Sequence, residues 1–208
     1  MSIIEERIKD IHKNYIEVIC PYILQYELLK NEFPIEILNE IRAVFTHLSK
    51  CYLSEDVSIK EKNLLKAEDH IKRAILDCYK YICMIYNDKY VEFEKNYKRI
   101  DLSLVDNGEF LPKLLEGRKR AVELMLEARE SDLAITSDNE IGIDEAYKKY
   151  EKAFIAYSSV YELINNSYIK LEHLKKKAIF KDFITIISFI LGIVGITLSI
   201  VFYFFQCH

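Results

Sequence analysis

Apolar residues recur at helical spacing along most of this 208-residue chain. Ile4, Ile8, Ile11, Tyr15 and Ile19 fall on one helical face over residues 3–29, continued by Ile23 and Tyr26. Pro21 interrupts the run and predicts a kink or a division there. Pro34 suits the first turn of a second helix, which extends to about Cys51. Ser58 and Glu61 read as a capping box that opens a third, long helix. Its apolar face holds Leu64, Ala67, Ile71, Ala74, Ile75, Cys78 and Ile82, and it continues, with a break past Asn87, to Arg99. Residues 101–108 read as a loop. A fourth helix covers about 109–130, and Ser137-Asp-Asn-Glu140 caps a fifth.

The fifth helix carries the most regular pattern. Ile143, Tyr147, Tyr150, Phe154, Tyr157, Tyr161, Ile164, Tyr168 and Leu171 alternate spacings of four and three. Such a seam packs against other helices, either within the domain or between chains; the bulk of its aromatics favours the former. The helix is expected to run unbroken into Phe183–Phe205, a stretch without a charged residue. That stretch would span about 35 Å, against a hydrocarbon core of about 30 Å. Its apolar residues cover every side of the helix, so it reads as a transmembrane segment rather than a buried core helix. Residues 140–205 as one rod would be about 100 Å long. Within the span Thr185, Ser188, Gly192, Gly195 and Ser199 form a stripe of small residues, a surface through which helices associate in lipid.

Composition sharpens this picture. With 5 Gly and 3 Pro the chain has too few turn residues for a sandwich or an α/β sheet, so the fold class is all-α. Residues are 50% hydrophobic and 30% charged, and the charges all lie outside the span. The expected division is a helical bundle over 1–105, a helical hairpin or stalk over 106–181, and a C-terminal anchor over 182–208. Lys170, Lys175, Lys176, Lys177 and Lys181 precede the span and no charged side chain follows it. The positive-inside rule then places residues 1–182 in the cytoplasm, in a single-pass, tail-anchored topology, and the N-terminal residues lack a signal-peptide pattern. Cys20, Cys51, Cys78, Cys83 and Cys207 form no Cys-x-x-Cys pair, in keeping with core thiols in a reducing compartment. The histidines at 12, 47, 70, 173 and 208 are scattered, so neither a metal site nor a cofactor is expected.

One pair carries chemistry. Arg42 and His47 stand at the two edges of the polar arc of the second helix, with Asn39, Ala43, Thr46 and Lys50 between them. Ala43 and Thr46 are small enough to admit a second helix. Two copies about a two-fold axis could pool two Arg and two His in one cleft. There His would move a proton and Arg would stabilise the charge of a phosphorane, which is what metal-independent RNA cleavage by a 2′-hydroxyl requires. The plainer alternative is an exposed Arg and His at a helix border, paired with Glu36 or Glu40. A second polar stripe, Lys66, His70, Arg73 and Asp77, could face RNA or line the dimer cleft, or be a solvated face with an Asp69–Arg73 pair. The net charge of −4 excludes a broad basic surface for nucleic acid.

The Arg-x4-His spacing late in the second helix, followed by the long helix Asn63-Leu-Leu-Lys-Ala-Glu-Asp-His-Ile-Lys-Arg-Ala-Ile-Leu-Asp-Cys-Tyr79, resembles the HEPN superfamily over about residues 1–100. The resemblance implies a helical bundle acting as a dimer, with Arg42 and His47 as the catalytic pair in members that are metal-independent endoribonucleases. Many members serve toxin–antitoxin, abortive-infection and CRISPR systems. Two positions depart from the family: Ala43 stands where Asn, Asp or His often follows the Arg, and Ser49 where modified members carry Tyr. A membrane span is found in HEPN accessory proteins that strengthen RNA-targeting CRISPR immunity by assembling into ring-like membrane oligomers. By that likeness the expected function is a prokaryotic antiviral effector. It would oligomerise in the bacterial inner membrane and compromise it, with lipid, copies of itself and an RNA or defence-system protein as partners. The alternatives are a tethered ribonuclease using Arg42 and His47, and a non-enzymatic membrane adaptor.

Overall fold

Helix α4 (Val57–Tyr97) organises the fold seen in the computed structural model, which describes residues 3–133 and 140–206. It is about 60 Å long and contributes fifteen of its residues to the buried interior. The predicted break past Asn87 is absent: the helix runs through Asn87, whose side-chain oxygen accepts from the Arg118 guanidinium. The cap also differs from expectation. Asp56, in extended conformation, accepts the Ser58 N–H at 2.8 Å, so Asp56 rather than Ser58 occupies the capping position.

Helices α1 (Ile3–Asn14) and α2 (Cys20–Lys30) form one continuous run through a π-helical turn at Tyr15–Ile19. Pro21 therefore neither kinks nor divides the segment as predicted. Its ring crowds the carbonyl four residues back and its nitrogen has no hydrogen to donate. The preceding turn widens instead, and the Cys20 N–H reaches the Tyr15 carbonyl, five residues away. The run ends at Asn31 in left-handed conformation, whose N–H bonds to the Glu27 carbonyl at 2.7 Å. It lies parallel to α4: Arg7 meets Glu68 through two 2.7 Å bonds, Gln25 bonds to Tyr86, and Lys30 reaches Asp88 at 3.3 Å.

Helix α3 (Ile35–Leu53) follows Pro34 directly and runs antiparallel to α4, burying Ile37, Val44 and Cys51. After α4, a 3-10 segment (Leu102–Gly108) ends in three left-handed residues, Asp106, Asn107 and Gly108. Helices α5 (Phe110–Leu133) and α6 (Glu140–Asn166) form an antiparallel hairpin, with Gly117 opposite Val160 and Ser131 opposite Lys149. The hairpin packs along α4, so one core joins Ile11 and Ile19, Leu64 to Tyr86, Ala121 to Ala128, and Tyr150 to Tyr157. The core is thus shared across residue 105. Among the described residues there is no β-strand.

The aromatic seam packs within the chain. Tyr79 of α4 meets Tyr22, Tyr147 and Phe154, and Tyr86 stacks on Tyr161 at 4.6 Å. The centre of the buried face lies one residue away from the expected line. Ala146, Tyr150, Ala153, Tyr157 and Val160 are buried, Tyr147, Phe154 and Tyr161 half-buried, and Tyr168 is exposed. Small residues between the aromatics let α6 approach its neighbours closely. The side chain of Ile143 and the proposed cap at Ser137 lie outside the described residues.

The single rod is interrupted. At Ser167 one N–H is shared by the Leu163 and Ile164 carbonyls, at 3.3 and 3.2 Å, and α7 (Tyr168–Gln206) begins after it. The break is buried and clamped: Leu171 is in the core, Tyr97 donates to Glu172 at 2.5 Å, and Lys170 pairs with Asp106. Beyond the clamp α7 leaves the bundle. Tyr168–Ile200 is long and apolar enough to cross a membrane, and its most apolar part is not buried at all.

Candidate functional site

Two polar stripes meet where α3 crosses α4. On α3, Glu36, Glu40, Ala43 and His47 recur at spacings of four, three and four; on α4, Asn63, Lys66, His70, Arg73 and Asp77 recur at three, four, three and four. Because the helices are antiparallel, His47 falls opposite Asn63 and Glu40 opposite His70. His47 Nδ1 lies 3.0 Å from Asn63 Oδ1, and His70 Nδ1 lies 2.7 Å from Glu40 Oε2. The two imidazoles stack at 5.4 Å between centroids, 14° from parallel.

The surroundings favour one arrangement of hydrogens on the two rings. Asn63 Nδ2 donates to the Ile59 carbonyl at 2.9 Å, which turns Oδ1, an acceptor, toward His47. A hydrogen on Nδ1 of His47 satisfies that acceptor. A hydrogen on Nδ1 of His70 likewise satisfies Glu40. Each ring keeps its Nε2 free of any protein partner among the described residues. Glu40 and His70 are each about one-quarter exposed, so the pair is reachable from solvent.

Arg42 is not part of this cluster. It is exposed on the other side of α3, where it borders an apolar groove of about 430 Å³ lined by Ile11, Tyr15, Leu38, Phe45 and Ile71. Within one chain, then, Arg42 and His47 face different neighbours, and His47 has His70 as its companion. Neither Glu36 nor Glu40 pairs with Arg42. Asn39 and Thr46 are exposed, and the Thr46 hydroxyl is bonded to the Arg42 carbonyl at 2.9 Å. Lys66 and Arg73 project into solvent on either side of His70 along α4.

Asp77 closes the α4 stripe. Burial pushes its carboxyl above the usual range, and Glu40, Asp132 and Glu36 add to the shift; Lys80, 3.9 Å away, opposes it. The sequence offers Glu40 as a partner for the Arg42 and His47 border, but it pairs with His70, and Asn63 takes His47. Extending the α4 stripe back by one step reaches Asn63, and the matching period on α3 reaches Glu40.

The small-residue stripe of α7 is unpartnered in the single chain. Thr185, Ser188, Gly192, Gly195 and Ser199 are all exposed, and a Cβ built on Gly192 or Gly195 meets nothing within 4 Å. The Thr185 and Ser199 hydroxyls are returned to the carbonyls four residues earlier, so their polarity is satisfied inside the helix. Among the described residues no group of three or more His, Cys, Asp or Glu side chains could hold a metal ion.

No protein-family model, no curated protein and no solved structure matches this chain.

Proposed function

We propose that the chain is a membrane-anchored, HEPN-like effector of prokaryotic defence. Its helical bundle lies in the cytoplasm, and its spans assemble in the inner membrane and compromise it when triggered. The observation that carries this reading is the state of α7. The described side chains from Phe183 to Ile200 are exposed, and Gly192 and Gly195 have open space where a neighbouring backbone could approach. The basic turns at Lys175–Lys177 and Lys181 support a cytoplasmic bundle. The clamp at Ser167, with Leu171 in the core and Glu172 on Tyr97, supports transmission from bundle to span, because a change in the bundle would bear directly on the base of α7.

The test is membrane potential in a bacterial host. The full chain, a chain ending at Lys181 and Gly192→Leu/Gly195→Leu are expressed at equal levels. The full chain is expected to depolarise cells and arrest growth, and both variants to lose the effect. Depolarisation by the chain without its span would sink this reading.

A further inference from the structure

The groove between α1 and α3 lies apart from the polar cluster and differs from it in chemistry. We propose that it binds a free aliphatic carboxylate, a fatty acid with one unbranched chain. Arg42 and His12 hold the head, and the chain lies against Ile11 and Ile71. The site shares no residue with α7, so it does not depend on the membrane reading.

The groove exists because α1 and α3 each pack along α4 and hardly touch one another. Arg7 on Glu68 and His47 on Asn63 fix the two registers. Counted from these pairs, Arg42 lies level with Glu68 and His12 level with Arg73, about 8 Å apart along α4. Both side chains are exposed. Along α3 the lining runs from Leu38 to Leu48, about 15 Å. Ile11 and Ile71 form a floor that is closed to solvent, whereas Phe45 at the rim is 72% exposed. The volume of about 430 Å³ falls within the range of small-ligand sites, about 300–1,000 Å³.

The ligand class follows from the lining. Arg42 and His12 are its charged or chargeable members, and no carboxylate or amide side chain joins them. The Tyr15 hydroxyl is bonded to the Cys20 side chain. Glu68, the acid level with Arg42, already accepts two bonds from Arg7. Among the described residues no acid pairs with the Arg42 guanidinium or the His12 ring. A base or a sugar would bury donors and acceptors here without partners. An aliphatic chain has none to lose, and each methylene removed from water gains about fourfold in affinity. A guanidinium meets a carboxylate through two parallel bonds, which selects an acid over an alcohol.

The source of the ligand follows from position and size. Ile71 stands about seven turns of α4 before Tyr97, so lipid packed beside α7 does not reach the groove and the acid arrives from solution. A single groove about 15 Å long also offers far less than the roughly 800 Å² per partner of a stable protein interface. A small ligand therefore fits it better than a second chain.

The test holds the full chain in phosphatidylcholine nanodiscs. The probes are dodecanoate and dodecanol, each with a diazirine at the last carbon, and labelled peptides are read by mass spectrometry. Wild type is expected to take dodecanoate label on the α1 and α3 peptides of the groove, and unlabelled dodecanoate to compete it away. Dodecanol should label those peptides about tenfold less. Arg42→Gln should lower the dodecanoate label by about tenfold or more, and Leu48→Trp, which fills the groove, should abolish it. Circular dichroism checks that both variants keep their helix. Lys50→Gln, which removes a surface cation of the same helix, should label like wild type. From octanoate to dodecanoate, competition should strengthen about fourfold per methylene. Absence of competable label on α1 and α3 overturns the proposal, as does equal labelling by dodecanol or a label unchanged in Arg42→Gln. Label confined to α7 is partition into lipid and overturns it too. So does a groove closed by a second copy, seen as α3 peptides of two chains cross-linked to one another.

Discussion

Gly117 and Val160 set the distance between α5 and α6, and their coupling can be worked out in advance. A Cβ on Gly117 would lie 3.1 Å from Val160 Cγ2, closer than side chains normally pack. Val160 is buried at 4% exposure and is β-branched, so it has little freedom to turn away. Gly117→Ala gains about 1 kcal/mol of helix propensity. Overpacking at a rigid contact costs about 2 kcal/mol, leaving a net loss of about 1 kcal/mol. Val160→Ala removes two methyl groups and costs about 2 kcal/mol. In that background the obstructing methyl is gone, and Gly117→Ala should become stabilising by about 1 kcal/mol. The expected coupling is thus about 2 kcal/mol. It is read as melting temperatures of the four proteins in one detergent, where 1 kcal/mol corresponds to about 2–4 °C. If the two single shifts simply add, to within about 0.4 kcal/mol, the close approach of these helices does not limit their packing and the reasoning is wrong.

Other consequences are as direct. Asp77 has its carboxyl raised by burial, so the folded chain holds that proton more tightly than the unfolded one, and stability falls as pH rises from the unfolded pKa through the folded one. Asp77→Asn should therefore raise the melting temperature at pH 7 and lose that advantage below about pH 4; an equal gain at both pH values would contradict the assignment. Burial pushes the Cys78 and Cys83 thiols up to about 12, so maleimide should label Cys20 in the native chain and leave Cys78 and Cys83 unmodified until unfolding, as read by peptide mapping. Arg7→Ala removes the two-pronged contact to Glu68 and should cost about 1 kcal/mol, lowering the melting temperature by about 2–4 °C; no change would mean that α1 is held by Ile11 and its neighbours alone.

Much of the fold was legible because long amphipathic helices write their period directly into the chain. The helices around Ile8, Val44, Ile75 and Leu124 lie where apolar spacing placed them, and the charge-free run from Phe183 is the apolar span. What was not legible depended on neighbours. Pro21 reads as a breaker, yet a single widened turn absorbs it. Ser58 with Glu61 matches a capping pattern, but Asp56 stands nearer the first free N–H groups. Ser167 carries no turn signal, and the break there follows from what Leu171 and Glu172 grip. The site was half visible. Arg42 and His47 were found by spacing along one helix, whereas the pairing of His47 with His70 needs a second helix at a particular register. Arg42 and His47 lie on opposite borders of a polar arc and so face different neighbours, and spacing alone cannot say which border meets which helix.

The length of α4 has an electrical consequence. His70 stands 27 residues before Tyr97, so about 40 Å of helix separates the two imidazoles from the base of α7. The screening length at physiological salt is about 8 Å. A potential set up at the foot of α7 decays over several such lengths before reaching the two rings. The two rings thus stand beyond the electrostatic reach of charges gathered at the base of α7. A displacement at the base of α7 can reach them only through the packed helices, and not through charge.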